Sequence, residues 1–259
     1  GLFEDPYTQP QHAAEISDCS AHRQLALEAA QRSIVLLKNE HNALPLKKKL
    51  NAIAVIGPSA DFPRLGSYAT RDARIVLPLA AIEEKVGADT TIHFAKGCDI
   101  LTGTRRGFKR AVAVARKSDV AILFLGNRAF HADVLNTEGE GNDRSNLDLP
   151  GHQEALIDAV LATGTPVVVV LLNGSAVTME HWAPRVQAIV EAWYPGVEGG
   201  TAIADVLFGD VNPGGKLPLT FAIRTGMLPL YYNFKPSGRF ISYTDHRDRH
   251  ADGMEKLLQ

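Results

Sequence analysis

The sequence predicts an α/β protein: an open, mostly parallel sheet with helices on both faces. Three observations carry this. Apolar runs of strand length alternate with helix-length runs from residue 23 to residue 221. The most strand-like run, Val167-Val168-Val169-Val170-Leu171-Leu172, is apolar at every position, as strands covered on both faces are. Several runs also end in small-residue loops, such as Gly57-Pro58, Asn173-Gly174-Ser175 and Tyr194-Pro195-Gly196. In this class, loops at the carboxyl ends of strands carry function.

Taken in order, residues 1–20 mix Pro, Gly, Asp and Gln and read as an irregular lead-in or linker. Ser20 is a candidate N-cap. The spacing of Leu25, Ala29, Ala30, Ile34 and Leu37 predicts an amphipathic helix running to Lys38-Asn39. A strand is expected over Asn51–Ile56, a short helix over Leu79–Val86, a strand over Thr91–Ala95 and a helix over Gly107–Lys117. Val120–Leu125 reads as a strand, Gln153–Leu161 as a helix closed by Gly164, and Ala188–Trp193 as a strand. Glu198–Phe208 reads as a helix. Leu217–Phe221 reads as a last strand, set at the sheet edge by its proline. From Arg224 the chain shows no periodicity, and residues 224–259 read as an irregular extension of a domain covering 21–223.

Composition narrows the function. A net charge of −2 gives no basic field for nucleic acid or an anionic membrane surface. The longest apolar run, Val167–Leu172, is far short of a membrane span. Cys19 and Cys98 stand far apart with no CxxC pair and read as two ordinary thiols. No charged segment followed by an apolar one marks a secretory leader, and the cellular compartment is left open.

The phosphate-binding signals are absent. Gly57 and Gly126 follow strands, but neither belongs to GxGxxG or GxxxxGK[ST]. Ser175 lies in Asn-Gly-Ser-Ala, not in a G-x-S-x-G elbow. His246 and His250 are four apart in an irregular stretch, and no pair has metal-ligand spacing; nothing points to a metal or cofactor. What remains is a carboxylate loop. Between the strand Val120–Leu125 and the helix after Pro150, Glu138, Glu140, Asp143 and Arg144 fall within seven residues, and glycines flank Glu140. Crowded carboxylates favour holding a proton, as general acid catalysis requires, while Arg144 is placed to keep one of them ionised. A solvated acidic loop fits these residues equally well. Ser67-Tyr68, after the first expected strand of the sheet, offers an aromatic that either stacks on a sugar or packs on the surface.

A family resemblance tips this balance. The block Glu140-Gly141-Asn142-Asp143-Arg144 through Leu147-x-Leu149-Pro150-Gly151-x-Gln153 resembles the second domain of family 3 glycoside hydrolases, the β-glucosidases and β-xylosidases. So do Ser33-Ile34-Val35-Leu36-Leu37-Lys38-Asn39, Ile53-Ala54-Val55-Ile56-Gly57-Pro58, Val169–Ser175, and Ala192-Trp193-Tyr194-Pro195-Gly196-x-x-Gly199-Gly200. The last continues through Ala204–Pro218, and the blocks keep the family's order over about 20–240.

The resemblance implies an α/β sandwich that supplies the general acid/base from a loop. The nucleophilic Asp would come from a preceding TIM-like barrel, in a retaining hydrolysis of a β-linked oligosaccharide or an aryl or alkyl glycoside. It assigns the acid/base to Glu140, with Glu138 as the alternative. Asp143 and Arg144 would shape the loop, and Ser67 and Tyr68 would line the aglycone side. No barrel precedes Gly1, so the chain is expected not to turn over alone. Gly1–Glu4 resembles the segment leaving the barrel, and Tyr231–Arg239 the approach to the family's third domain. A non-catalytic carbohydrate-binding module of the same fold is the alternative function.

Overall fold

In a computed structural model, residues 1–69, 73–101, 103–129, 136–231 and 233 are described. Six strands form one sheet: β1 (Val35–Asn39), β2 (Ala52–Ile56), β3 (Thr91–Ala95), β4 (Val120–Gly126), β5 (Val167–Leu172) and β6 (Ala188–Glu191). Their spatial order is β1-β6-β5-β4-β2-β3. All neighbours are parallel except β1, which runs antiparallel to β6 with Val35 opposite Glu191. The helices are α1 (Pro10–Ile16), α2 (Ser20–Ser33), α3 (Pro78–Val86), α4 (Phe108–Ala115), α5 (Gln153–Leu161) and α6 (Gly199–Leu207).

The two faces follow from strand alternation, since successive side chains point to opposite sides. Ile53, Val55, Ile122, Phe124, Val168 and Val170 pack against α3 and α6 through Ile82, Val86, Ile203 and Leu207. Ala54, Ile56, Leu123, Leu125, Val169 and Leu171 pack against α4 and α5 through Ala111, Ala115, Leu156 and Val160. Burial on both faces explains why β2, β4 and β5 lack polar alternation.

The connections position the site. From β2 the chain crosses α3 to β3 on one side, then crosses α4 to β4 on the other side of β2. The winding therefore reverses between β2 and β4. At that switch point the loops leaving the two carboxyl ends diverge and leave a crevice. Gly57 and Gly126 open these loops. A Cβ on Gly126 (φ +138°) would lie 2.1 Å from the Leu172 carbonyl oxygen, and one on Gly57 (φ +121°) 2.2 Å from that of Phe124. These glycines let adjacent strand ends approach, which accounts for them without any bound phosphate.

Several expectations need correction. The helix expected to run to Lys38-Asn39 ends at Ser33, and Ile34 takes extended dihedrals. Val35–Asn39 is a strand because its main chain pairs with β6, while Leu36 and Leu37 enter opposite cores. Helical spacing could not reveal a partner so distant in sequence. With β1 on the edge of β6, Leu217–Phe221 forms no strand; Phe221 instead packs edge-on against Trp193 at 6.0 Å. The strand expected to reach Trp193 stops at Glu191, where Trp193 turns left-handed (φ +58°). Ser20 is the first residue of α2 rather than its cap, which is Cys19 with no side-chain hydrogen bond. The lead-in is not wholly irregular: α1 starts at Pro10, a residue suited to a first turn, and buries none of its residues. In the described part of the C-terminal extension, residues 224–231 and 233, a short helical turn forms at Thr225–Met227; Tyr232, Lys235–Arg239, His246 and His250 lie outside the described residues.

Candidate active site

The loop after β4 is pinned at its base. Gln153, the first residue of α5 and fully buried, donates to the carbonyls of Gly126 (2.8 Å) and Pro150 (3.0 Å) and accepts from Gly126 N (2.8 Å). Arg128 and Thr137 close the neck: Thr137 N donates to Arg128 O at 2.9 Å, and Arg128 N donates to Thr137 Oγ1 at 2.9 Å. Thr137 Oγ1 in turn donates to Asn127 Oδ1 at 3.0 Å. Residues 130–135, inside this neck, are outside the described set.

Beyond the neck, the two candidate glutamates part company. Glu138 is 5% exposed and points inward. Its carboxylate accepts from Gly174 N (2.5 Å), Ser175 Oγ (2.6 Å) and the Tyr194 hydroxyl. Glu140 lies at the crown between Gly139 and Gly141, both at positive φ, and is exposed. The Tyr68 hydroxyl donates to its Oε2, joining the loop after β2 to the loop after β4. Tyr68 is 84% exposed and sits left-handed at φ +67°. Non-glycine residues hold that conformation only where the surroundings impose it. Ser67 lies against the same crown: its Oγ is 3.0 Å from where a Cβ on Gly139 would stand.

Of the loop-shaping pair, Arg144 is anchored. Its Nη2 donates to Ser175 Oγ at 2.9 Å and to Ala176 O at 2.8 Å. Burial holds its guanidinium below the usual arginine range, and the Glu138 charge opposes that shift. Asp143 is exposed on the outer side of the loop. The structure thus brings Glu140 to Tyr68, Ser67 to the neighbouring Gly139, and Glu138 to Arg144 through Ser175.

The residues beneath the loop were not foreseen. Glu191, at the end of β6, is fully buried; its carboxylate accepts from Asn173 Nδ2 (2.9 Å) and Trp193 N (2.8 Å). Burial, with Glu138 adding repulsion, pushes Glu191 up to about 8. Burial and the Glu138 charge also raise Tyr194 well above the usual phenol range. Arg64 is 7% exposed, and burial together with the Arg128 cation brings it down to about 10. Arg64 Nη1, Asn127 Nδ2, Arg144 Nη1 and Asn173 Oδ1 are buried without a hydrogen-bond partner among the described residues. Such concentrations of buried, imperfectly paired polar groups mark functional sites more often than ordinary cores. The sequence offered one signal, polar residues (Asn173, Ser175, Glu191, Tyr194) directly ending two very apolar strands.

Elsewhere the thiols are ordinary. Both cysteines are free, and burial pushes Cys98 up to about 12. Among the described residues no cluster of three or more His, Cys, Asp or Glu could hold a metal, and no helix is long and apolar enough to cross a membrane.

Fold and site together define an α/β sandwich with a carboxylate loop at its switch point. The family model described as "Glycosyl hydrolase family 3 C-terminal domain" matches residues 34–251, and the chain belongs to that family. It is 42% identical over 224 residues to a β-xylosidase of Formosa agariphila, covering 83% of this chain and 30% of that protein. It is 37% identical over 268 residues to a periplasmic β-glucosidase of Salmonella typhimurium, covering 92% and 34%. Among solved structures, the β-glucosidase EmGH1 from Erythrobacter marinus superposes with a TM-score of 0.83 at 36% identity, covering 94% of this chain and 36% of that one. A β-glucosidase from Listeria innocua in complex with isofagomine gives 0.81 at 31% identity, covering 92% and 32%. The chain therefore spans about a third of the length of these relatives.

Proposed function

We propose that this chain carries the general acid/base of a retaining β-glycosidase acting on β-glucosides or β-xylosides, with Glu140 as the proton carrier. The observation that carries the proposal is the exposed Glu140 carboxylate at the crown of the switch-point loop, with the Tyr68 hydroxyl on it. Family membership supplies the reaction class. Glu140 would protonate the glycosidic oxygen as the bond to the anomeric carbon breaks. It would then take the proton of the water that releases the glycosyl-enzyme. The second carboxylate of this chemistry must stand about 5–5.5 Å away. In this reading it is an Asp of a TIM-like barrel, which also grips the glycone. The domain of residues 21–223 is then half of the catalytic unit and turns over nothing alone. Tyr68 and Ser67 line the aglycone side, and Asp143 and Arg144 hold the loop's shape. Glu138 is the less suitable acid: it is 5% exposed and three donors already occupy its oxygens.

The test is hydrolysis of nitrophenyl β-glucoside and β-xyloside by the chain alone and together with a family barrel. Robust turnover by the chain alone overturns the two-part reading. Near-normal rates for Glu140→Gln and Glu140→Ala on substrates with poor leaving groups overturn the role of Glu140.

A further inference from the structure

We infer that Glu138 is a positioning residue: with Ser175 and Tyr194 it clamps the loop on both sides of Glu140 and fixes where the proton is delivered. The inference rests on the acid/base reading of Glu140.

Ser175 is the pivot. Its Oγ donates to Glu138 Oε2 at 2.6 Å and accepts from Arg144 Nη2 at 2.9 Å. One hydroxyl therefore ties down the residue two before Glu140 and the residue four after it. The segment between them forms a closed ring through the β5 exit loop, with Glu140 at its outer edge. Gly174 N adds a main-chain bond to Glu138 at 2.5 Å. Tyr194, from the β6 exit, donates to Glu138 and accepts from Ala129 N at 3.0 Å, so it spans the loop's neck as well. The crown itself is held more lightly: Asn142 donates from N to Gly139 O and from Nδ2 to Glu140 O, both at 3.0 Å, and the Glu140 and Asp143 side chains are exposed. A buried carboxylate with three donors is a fixed acceptor and suits orientation better than proton transfer. The clamp also demands close fit: a Cβ at Gly174 would stand 2.9 Å from Tyr194 Cε2 and 3.2 Å from Glu138 Oε1.

The experiment uses the chain together with a family barrel, the combination that tests Glu140. Glu138→Gln, Ser175→Ala and Tyr194→Phe are assayed on aryl glycosides whose leaving groups range from activated to poor. A misplaced acid fails where the leaving group needs its proton. The expected result is a loss of kcat/KM of about 10- to 100-fold on poor leaving groups, a loss at most a few-fold on activated ones, and substantial recovery in Ser175→Thr, which keeps the hydroxyl. Equal losses across all leaving groups, or none, overturn the inference. Should Glu138→Gln fail to fold, Ser175→Ala and Tyr194→Phe decide by the same criterion. Azide separates this inference from the reading beneath it. Rescue of Glu140→Ala but not Glu138→Ala supports both. Rescue of Glu138→Ala alone makes Glu138 the acid/base and overturns both. If Glu140→Ala is rescued and the clamp variants behave like the parent on every substrate, only the inference falls.

Discussion

At the amino ends of the strands, polar side chains cap the main chain. Asp119 accepts from Asn51 N (2.6 Å) and Ala52 N (3.2 Å), Gln187 accepts from Val167 N (2.6 Å), and Thr90 donates to Leu50 O (2.8 Å). At the carboxyl ends of the same sheet, side chains cap the main chain too, as Gln153 does at Gly126, but they also bond to one another. Glu138 meets Ser175 and Tyr194, Asn173 meets Glu191, and Thr137 meets Asn127. Four buried polar atoms there have no hydrogen-bond partner among the described residues, and two carboxylates are buried. One end does little beyond capping the backbone; the other adds a set of buried polar groups held at some cost to the fold. That asymmetry is expected where stability has been exchanged for a preorganised site.

Substitutions at the two ends should therefore separate activity from stability. The largest effect is expected for Glu140→Ala assayed together with a family barrel: a loss of about 10²–10⁴-fold in kcat on poor leaving groups, with an unchanged thermal midpoint because the side chain is exposed. A large drop in melting temperature would break the contrast.

Next comes Glu191→Gln. Glu191 rises from 4.5 to about 8 on folding, so the folded state binds the extra proton. The stability this gives is fully present below pH 4.5 and is lost as pH rises through about 8. Denaturant titrations at pH 5 and pH 9 should show the parent losing on the order of 4 kcal/mol that the Gln variant does not lose.

A smaller effect is expected for Gln187→Ala at the amino end, about 1 kcal/mol in urea unfolding from the lost cap on Val167 N. Its kcat should be unchanged; a fall in kcat would show that the two ends are coupled. Smallest is Asp119→Asn. Main-chain hydrogen bonds from Ala52 and Asn51 hold the Asp119 carboxyl below its ordinary 3.8. Its stabilisation is present above that value and lost as pH falls through the lower, folded-state one. The Asn variant should be less stable than the parent at neutral pH and show a shallower acid limb in a thermal scan, the two converging as pH falls.

Much of the fold could be read from local pattern. β5 and α5 fall where their spacing places them, because burial on both faces leaves an unbroken apolar run and a 3.6-residue period marks a covering helix. β1 could not be read this way, since Ile34 and Leu37 satisfy a helical period and only the pairing with β6 decides otherwise. The site divides similarly. Glu140, Glu138, Arg144 and Tyr68 stood out by motif, and the family order of the blocks ranked them. What distinguishes Glu138 from Glu140 is which of them faces Gly174, Ser175 and Tyr194, more than thirty residues downstream. No local signal carries that.

The antiparallel strand β1 also bears on the order of assembly. Val35 finds its place opposite Glu191. During synthesis that edge of the sheet must wait until nearly the whole domain has emerged, whereas β2 and β3 can pair early. Until β6 arrives, Val35–Asn39 is an apolar segment without its partner, and the flank of β5 stands open. Such long-range closure slows folding and leaves this stretch the one most exposed to capture by another chain on the way.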